Sequence, residues 1–285
     1  MAVLDYGLYD AGFSGFVDDA YYEGSSLLWR LGKLRFDEDP SLFHPANINR
    51  IGGRMLREWF SVSRPVVKEI SSSNMRAYLL RDAADKLVRD YEGSVKVLIE
   101  RSRGLLFDDG DGFIERLLKF KAYADPISRK AFLLAKFLSR RGYISFKDDD
   151  HLQVPVGGSL VRVALRLGLV LLDDSSMSNY LNDHRLTWSE DYALRMRVRE
   201  ALKFVSSLSR KDPFLIHDFF EIFSKSCCNV SSPICLGSND TSSLSSPHRS
   251  DICDSGCPLV PLCRFRGDPI VRRILNPSMK ENIYY

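Results

Sequence analysis

A chain of 285 residues, 45% hydrophobic and 27% charged, has the composition of an ordinary globular protein and enough length for one large or two modest domains. Its net charge is only +3, and no apolar run approaches the roughly 20 residues that a membrane-spanning helix needs. The N-terminal residues lack the basic and apolar regions of a signal peptide. These features argue against an integral membrane protein, and we expect a cytoplasmic monomer without a membrane partner.

The small net charge conceals an uneven distribution along the chain. Residues 1–60 contain 6 Lys and Arg against 9 Asp and Glu, a net charge of −3, whereas residues 116–172 contain 11 against 4, a net charge of +7. Concentrated positive charge favours a partner that carries phosphates, such as a nucleic acid. The alternative is a helical surface that is basic without binding a ligand.

The periodicity of the sequence predicts an all-α protein in three parts. Residues 1–50 are rich in aromatic and acidic side chains but lack a clear period, and we expect an extension that packs on the rest of the chain. Residues 51–212 are predicted to form a helical body, and residues 213–285 a helix followed by a small cysteine-rich module.

Within the body, the first long helical run covers residues 74–101, and Gly93 is placed to break it. Residues 107–112 have the Gly and Asp content of a turn, and residues 113–123 are predicted to form a short helix. Only residues 143–146 alternate between polar and apolar side chains in the manner of a strand.

The most regular part of the chain, residues 125–170, is predicted to form two helices separated by a sharp turn. Pro126, with Asp125 as its N-cap, opens the first helix, and Gly142 ends it. The second helix has apolar residues at i, i+3, i+4 and i+7, and Gly168 ends it. The VPVGGS turn leads into the N-terminus of the second helix, where unpaired N–H groups and a partial positive charge suit an anion.

All six cysteines lie between residues 227 and 263, after further predicted helices over 175–181, 189–208 and from Pro213 onwards. A Ser-rich flexible loop at 236–252 interrupts them. An extracellular protein would spread its disulfides through the fold, and a cytosolic chain should hold none. The clustering therefore favours a metal or iron–sulfur site, with a local disulfide knot as the alternative.

The spacing of these cysteines resembles that of the helix-hairpin-helix DNA glycosylases of the endonuclease III type, which bind a [4Fe–4S] cluster through C-x6-C-x2-C-x5-C. Cys228 and Cys235 match the first spacing, Cys257 and Cys263 match the last, and CPLVPLC is very like the family's final loop. The middle spacing departs from the pattern, so Cys253 is an alternative to Cys235. The resemblance implies a [4Fe–4S] cluster, and a four-thiolate zinc site is the runner-up.

Two motifs of the same family also have counterparts here. ADPISRKAF lies where the family has the hairpin LPGVGRKTA, and VPVGGSLVRVALRLGL matches VDTHVxRVxxRLG. The family's Schiff-base lysine corresponds to Lys130, whereas the hairpin glycines are replaced by Pro126 and Ser128. The catalytic aspartate corresponds to Gly157 and the following histidine to Ser159, so the chain lacks the carboxylate that stabilises charge on the sugar.

The resemblance implies a helix-hairpin-helix glycosylase-like fold and a divergent DNA base-excision-repair N-glycosylase or AP lyase that acts on a flipped damaged base or an abasic site in duplex DNA. Lys130 would attack the sugar, Arg162 and Arg166 would lie near phosphates or brace their helix, and Asp148, Asp149 and Asp150 offer a substitute acid or a solvated loop. The residues expected to contact DNA are Ser128, Arg129, Arg140, Gly157, Gly158, Ser159 and Arg162.

Two other functions remain open on the sequence alone. A non-catalytic nucleic-acid-binding iron–sulfur protein would keep the scaffold and dispense with the missing aspartate. The queuosine-nucleotide N-glycosidases show a fainter similarity, through SRKAFLLAKFL and the R-x-R-E sequence at Arg197 to Glu200. That family also needs an aspartate before the corresponding helix.

Overall fold

The computed structural model describes residues 1–8, 11–236, 251–279 and 283–284. Helices dominate these residues, so the all-α prediction for the body is confirmed. The chain divides into two compact units, residues 1–152 with 282–285 and residues 153–281. This boundary coincides with neither of the limits that the sequence suggested, at 50/51 and 212/213.

The first unit contains seven helices and two short antiparallel hairpins among its described residues. The strand pairs are β1 with β2 and β3 with β4. The elements in chain order are β1 (Ser14–Val17), β2 (Ala20–Glu23), α1 (Ser25–Glu38), α2 (Pro45–Ile48), α3 (Gly53–Trp59), β3 (Ser61–Val62), β4 (Lys68–Glu69), α4 (Ser73–Tyr91), α5 (Val95–Arg101), α6 (Phe113–Leu118) and α7 (Arg129–Arg140).

The N-terminal residues contribute to the core of the first unit. Leu4, Phe13 and Leu27 are buried in one cluster with Leu56 and Phe60, whose members are 0–8% exposed. Burying a side chain of this size contributes about 1.5–3 kcal/mol. Residues 1–50 are therefore integral to the packing of this unit.

Local signals correctly located several helices of the first unit. The run at 74–101 divides into α4 and α5, and Gly93 between them adopts the left-handed φ of +72° that favours glycine. The helix expected from Pro126 begins later, at Arg129. Its N-cap is Ser128 and not Asp125 as predicted, although the Asp125 carboxylate still accepts the backbone N–H of Arg129 at 2.7 Å.

The strand predicted at residues 143–146 is wrong. Tyr143 and Ser145 are exposed and Ile144 is buried, so the alternation is real. No described segment pairs with it in a ladder, however, and an alternating segment without a hydrogen-bonded neighbour is not a strand.

The second unit is built on four helices. They are α8 (Gly158–Leu167), α9 (Asp174–Asn182), α10 (Trp188–Ser209) and α11 (Pro213–Ser226). α8 contacts both α10 and α11 and ends at Gly168, as predicted, with a φ of +81°. Short 3-10 turns follow α11, at Ile234–Leu236, Asp251–Cys253, Val260–Leu262 and Pro269–Arg272. Among the described helices, none combines the length and the apolar composition that crossing a bilayer requires.

Candidate metal centre and nucleic-acid interface

Four unpaired cysteines of the second unit line a single cavity. Cys228 lies two residues after the end of α11, and Cys235 lies in the 3-10 turn that follows. Cys257 and Cys263 flank the turn Val260–Leu262 and reach the same cavity, which the C-terminal end of α8 also lines. Chain segments separated by a Ser-rich insertion thus present four thiols to one space.

The remaining two cysteines pair with each other. Cys227 and Cys253 form a disulfide with a Cα–Cα distance of 5.7 Å. The sequence left Cys235 and Cys253 as alternatives for the fourth position at the metal site, and here Cys235 lines the cavity whereas Cys253 is held in the disulfide. The expectation that the cysteines form no disulfide is not met for this pair.

Arg166 fixes the backbone beside the first cysteine. Its side chain is 0% exposed, and its guanidinium group donates to the carbonyls of Ile274 at 3.1 Å, Asn229 at 2.6 Å and Val230 at 3.1 Å. It also approaches the Cys228 Sγ at 3.4 Å. A buried positive charge in this place complements thiolates.

Arg162 lies one turn earlier on α8 and is 2% exposed. It donates to Asn276 Oδ1 at 2.6 Å and to the carbonyls of Ser224 at 2.8 Å and Cys228 at 3.1 Å. Burial, reinforced by the neighbouring Arg166, lowers its pKa to about 10, so it stays charged at neutral pH. Both arginines therefore brace α8 against the neighbouring backbone. Because both are buried, neither guanidinium group is available to a DNA phosphate in this structure.

The residues around the cavity fit a thiolate-bound metal group. Thiolates are soft ligands that suit iron–sulfur clusters and zinc, and the adjacent guanidinium groups offset their negative charge. Among the described residues, no three His, Cys, Asp or Glu side chains are grouped as they would be around one metal ion. The fit therefore rests on the four-cysteine donor set and its charge environment.

A carboxylate from α11 lies beside the N-terminus of α8, and the sequence did not reveal it. Gly157 is the buried N-cap, and Ser159 Oγ donates to Glu221 Oε2 on α11 at 2.9 Å. Burial raises the pKa of Glu221, but the ion pair with Lys225 at 3.0 Å, nearby His217 and the Ser159 hydroxyl outweigh it and hold that pKa well below its usual range. An ionised acid therefore lies beside the helix that begins at Gly158. Because Glu221 is 62 residues away from Ser159, no local motif could reveal it.

Lys130 is buried in the first unit. It is 1% exposed, and its Nζ donates to the carbonyls of Val3 at 3.3 Å and Ile283 at 3.1 Å. The amine also lies 4.7 Å from the centre of the Tyr6 ring. Burial lowers the pKa of Lys130 to about 7, which would favour a nucleophilic amine. In this conformation, however, the amine is covered and cannot reach a sugar.

The other predicted DNA contacts are divided between the units. Ser128, Arg129 and Arg140 belong to the first, and Gly157, Gly158 and Ser159 to the second. Ser128 has a φ of +55°, the left-handed conformation that glycine adopts without strain. Arg129 is half-buried and Arg140 is exposed.

The acidic run before α8 has a structural role in the first unit. Asp148 accepts the backbone N–H groups of Leu106 at 2.8 Å and Phe107 at 3.1 Å. Asp149 and Asp150 are exposed in the 3-10 turn that follows. Asp148 thus anchors a loop, in line with the loop alternative, and does not replace the missing catalytic acid.

A second basic surface follows the last cysteine and did not emerge from the sequence. Residues 257–279 contain four arginines and one aspartate, a net charge of +3. All four arginines are exposed, and none is in a salt bridge with a described residue; they are Arg264, Arg266, Arg272 and Arg273. The larger positive charge of residues 116–172 dominates the charge distribution along the chain and conceals this smaller one.

The resemblance to the glycosylase family rests on the sequence motifs alone and stays a prediction. No protein-family model matches the chain, and no curated protein matches it.

Proposed function

We propose that this chain is a nucleic-acid-binding iron–sulfur protein. The observation that carries the proposal is the convergence of Cys228, Cys235, Cys257 and Cys263, all unpaired, on one cavity. These four residues would hold a [4Fe–4S] cluster, and zinc is the runner-up cofactor. When bound, a cluster of this kind supplies one-electron redox chemistry and cross-links the segments that ligate it.

The protein's own contribution to this site is charge and position. Arg166 and Arg162 hold Cys228 and the residues after it through carbonyl hydrogen bonds. Their two positive charges reduce the net charge of a four-thiolate site. A bound group would therefore meet a backbone that is already fixed on the Cys228 side.

The expected partner is duplex DNA, damaged or abasic. Arg264 and Arg266 lie one and three residues after Cys263 and are exposed, so the basic surface adjoins the proposed cofactor site. Arginine forks bind phosphate oxygens with paired hydrogen bonds, and such contacts supply affinity that depends on salt. In the first unit, Arg140 is a further exposed candidate for a phosphate contact.

Base release is a second candidate function, which Glu221 favours. Breaking an N-glycosidic bond develops positive charge on the sugar, and an ionised carboxylate can stabilise that charge or activate water. Glu221 has the required ionisation state, and Ser159 fixes its orientation. Lyase chemistry through Lys130 has less support, because the amine is enclosed by the backbone at Val3 and Ile283.

The cofactor is tested on protein purified without oxygen. We expect a brown protein with broad absorbance near 400 nm, four iron atoms per chain, and loss of the colour in Cys228→Ala and Cys257→Ala. Cys253→Ala should retain the iron, because Cys253 is not at the cavity. A colourless wild-type protein with one zinc per chain would show that the cofactor is zinc and not a cluster. A protein without either metal would refute the proposal.

A further inference from the structure

The six cysteines serve two different purposes in the second unit. Four unpaired cysteines line the cavity, and Cys227, which also borders it, is joined to Cys253 at a Cα–Cα distance that suits a disulfide. We propose that Cys227 and Cys253 form a redox site, at which exchange with a dithiol controls access to the four-cysteine cavity. The cavity's metal-binding role in this inference rests on the proposed function, whereas the disulfide itself does not.

The disulfide connects the two halves of the four-cysteine set. On one side, the carbonyl of Cys227 accepts the N–H of Ile234 at 3.0 Å, which ties it to the turn containing Cys235, and Cys228 is its neighbour in the chain. On the other side, the carbonyl of Cys253 accepts the N–H of Gly256 at 3.0 Å, immediately before Cys257. The S–S bond therefore holds the Cys257 segment against the end of α11.

The far end of that segment has its own attachments. The backbone N–H of Arg264 donates to Leu167 O at 3.2 Å, and the Cys263 thiol donates to Arg166 O at 3.3 Å. Among the described residues, no hydrogen bond joins the residues around Cys257 to α8. Once the disulfide is broken, Cys263 keeps these attachments to α8, whereas Cys257 loses the cross-link that lies four residues before it, so Cys257 is the more mobile of the two.

The two sulfur atoms differ in accessibility, which sets the order of the exchange. Cys227 is 1% exposed, whereas Cys253 is half-buried. The thiolate of an incoming dithiol attacks Cys253 Sγ, forming a mixed disulfide as the S–S bond breaks and Cys227 leaves as a thiolate that takes up a proton. The second thiol of the reagent then closes its own disulfide and releases Cys253 as a thiol. Two electrons and two protons pass from the dithiol to the protein.

Breaking the bond changes the opening equilibrium of the segment. Cys227 and Cys253 are 26 residues apart, and the cross-link removes loop-closure entropy from the opened segment. This entropy corresponds to on the order of 100-fold in the equilibrium constant for opening. The reduced protein should therefore expose Cys257 about 100-fold more often than the oxidised protein. Any metal held through Cys257 would leave correspondingly faster.

The test uses the full chain purified without reductant. Denaturation in iodoacetamide followed by peptide mass spectrometry should find Cys227 and Cys253 joined and the other four cysteines unjoined. In native protein, the alkylation rate of Cys257 and the rate of iron or zinc loss to EDTA should both rise about 100-fold after dithiothreitol. Cys263 should respond less. The double variant Cys227→Ser/Cys253→Ser should show the fast rates without dithiothreitol, and reoxidised wild-type protein should return to the slow rates.

The outcomes separate this inference from the proposed cofactor. Six free thiols in the peptide map, or a Cys257 alkylation rate that dithiothreitol leaves unchanged, would overturn the redox site. If the wild-type protein holds metal but Cys253→Ser contains none as purified, before any EDTA is added, Cys253 would be a ligand and the redox site would also be overturned. A wild-type protein without metal defeats the proposed cofactor alone, since the peptide map and the Cys257 alkylation rate still report on the disulfide.

Discussion

Replacing Arg166 with Met should destabilise the second unit strongly. The guanidinium group is fully buried and satisfies the carbonyls of Ile274, Asn229 and Val230. The carbonyl of Cys228 keeps its second donor, Arg162, so three carbonyls lose the partner that Arg166 provides. The Ile274 carbonyl is buried and costs about 1–3 kcal/mol without a partner, whereas the carbonyls of Asn229 and Val230 are part-buried and cost less because water can reach them. Removing the buried charge offsets part of that loss by relieving its desolvation, which leaves a net cost of about 2–4 kcal/mol.

Urea denaturation followed by far-UV circular dichroism measures this cost. The matched control is Arg197→Met on α10, whose side chain is 74% exposed and whose ion pair with Glu200 lies at the surface. Such exposed pairs contribute about 0–1 kcal/mol, so the control should lower the free energy of unfolding by no more than about 1 kcal/mol. Arg166→Met should also lose the proposed metal if the wild-type protein holds one. A loss below about 1 kcal/mol for Arg166→Met would refute the bracing role.

Three further predictions concern the acid, the basic surface and the buried amine. Glu221→Gln should lower any base release from damaged duplex by about 10²-fold while leaving DNA affinity unchanged, and equal rates in the two proteins would remove Glu221 from the chemistry. Arg264→Glu with Arg266→Glu should weaken DNA binding and reduce the salt slope, measured by fluorescence anisotropy, by about 0.9 for each phosphate that the protein no longer neutralises. Burial lowers the pKa of Lys130 to about 7 in the folded protein, so between pH 7 and the ordinary lysine pKa the unfolded chain binds more protons than the folded one. The free energy of unfolding of the wild-type protein should therefore rise relative to Lys130→Met by up to about 1.4 kcal/mol per pH unit as the pH increases from 7. Lys96→Met, at a side chain 82% exposed, should show no such trend.

Elements with strong local signals were predictable from the sequence. α8 begins and ends where its apolar period and Gly168 indicated, because the period and the cap lie within about ten residues of each other. The break at Gly93 was equally local. The family resemblance named Cys228, Cys257 and Cys263 and left Cys235 and Cys253 as alternatives, and the metal site and its cofactor stay predictions.

Features that depend on distant contacts were not predictable from one sequence. Lys130 was assigned to chemistry by its motif, yet carbonyls at residues 3 and 283 bury it. Ser159 and Glu221 meet only after α8 and α11 have packed. The alternating residues 143–146 failed as a strand because strand formation needs a partner segment, and no local pattern specifies one.

The hydrogen bonds of α8 have a consequence for the biosynthesis of the protein. Arg166 needs the carbonyl of Ile274 and Arg162 needs Asn276, and both acceptors lie more than 100 residues further along the chain. A nascent chain that has released the cysteines from the ribosome but not yet these residues therefore lacks one native acceptor for each guanidinium group, although the acceptors at residues 224 and 228–230 are already present. The hydrogen bonds beside the four cysteines are complete only once translation has passed residue 276, so we expect insertion of the proposed metal to follow the synthesis of the chain.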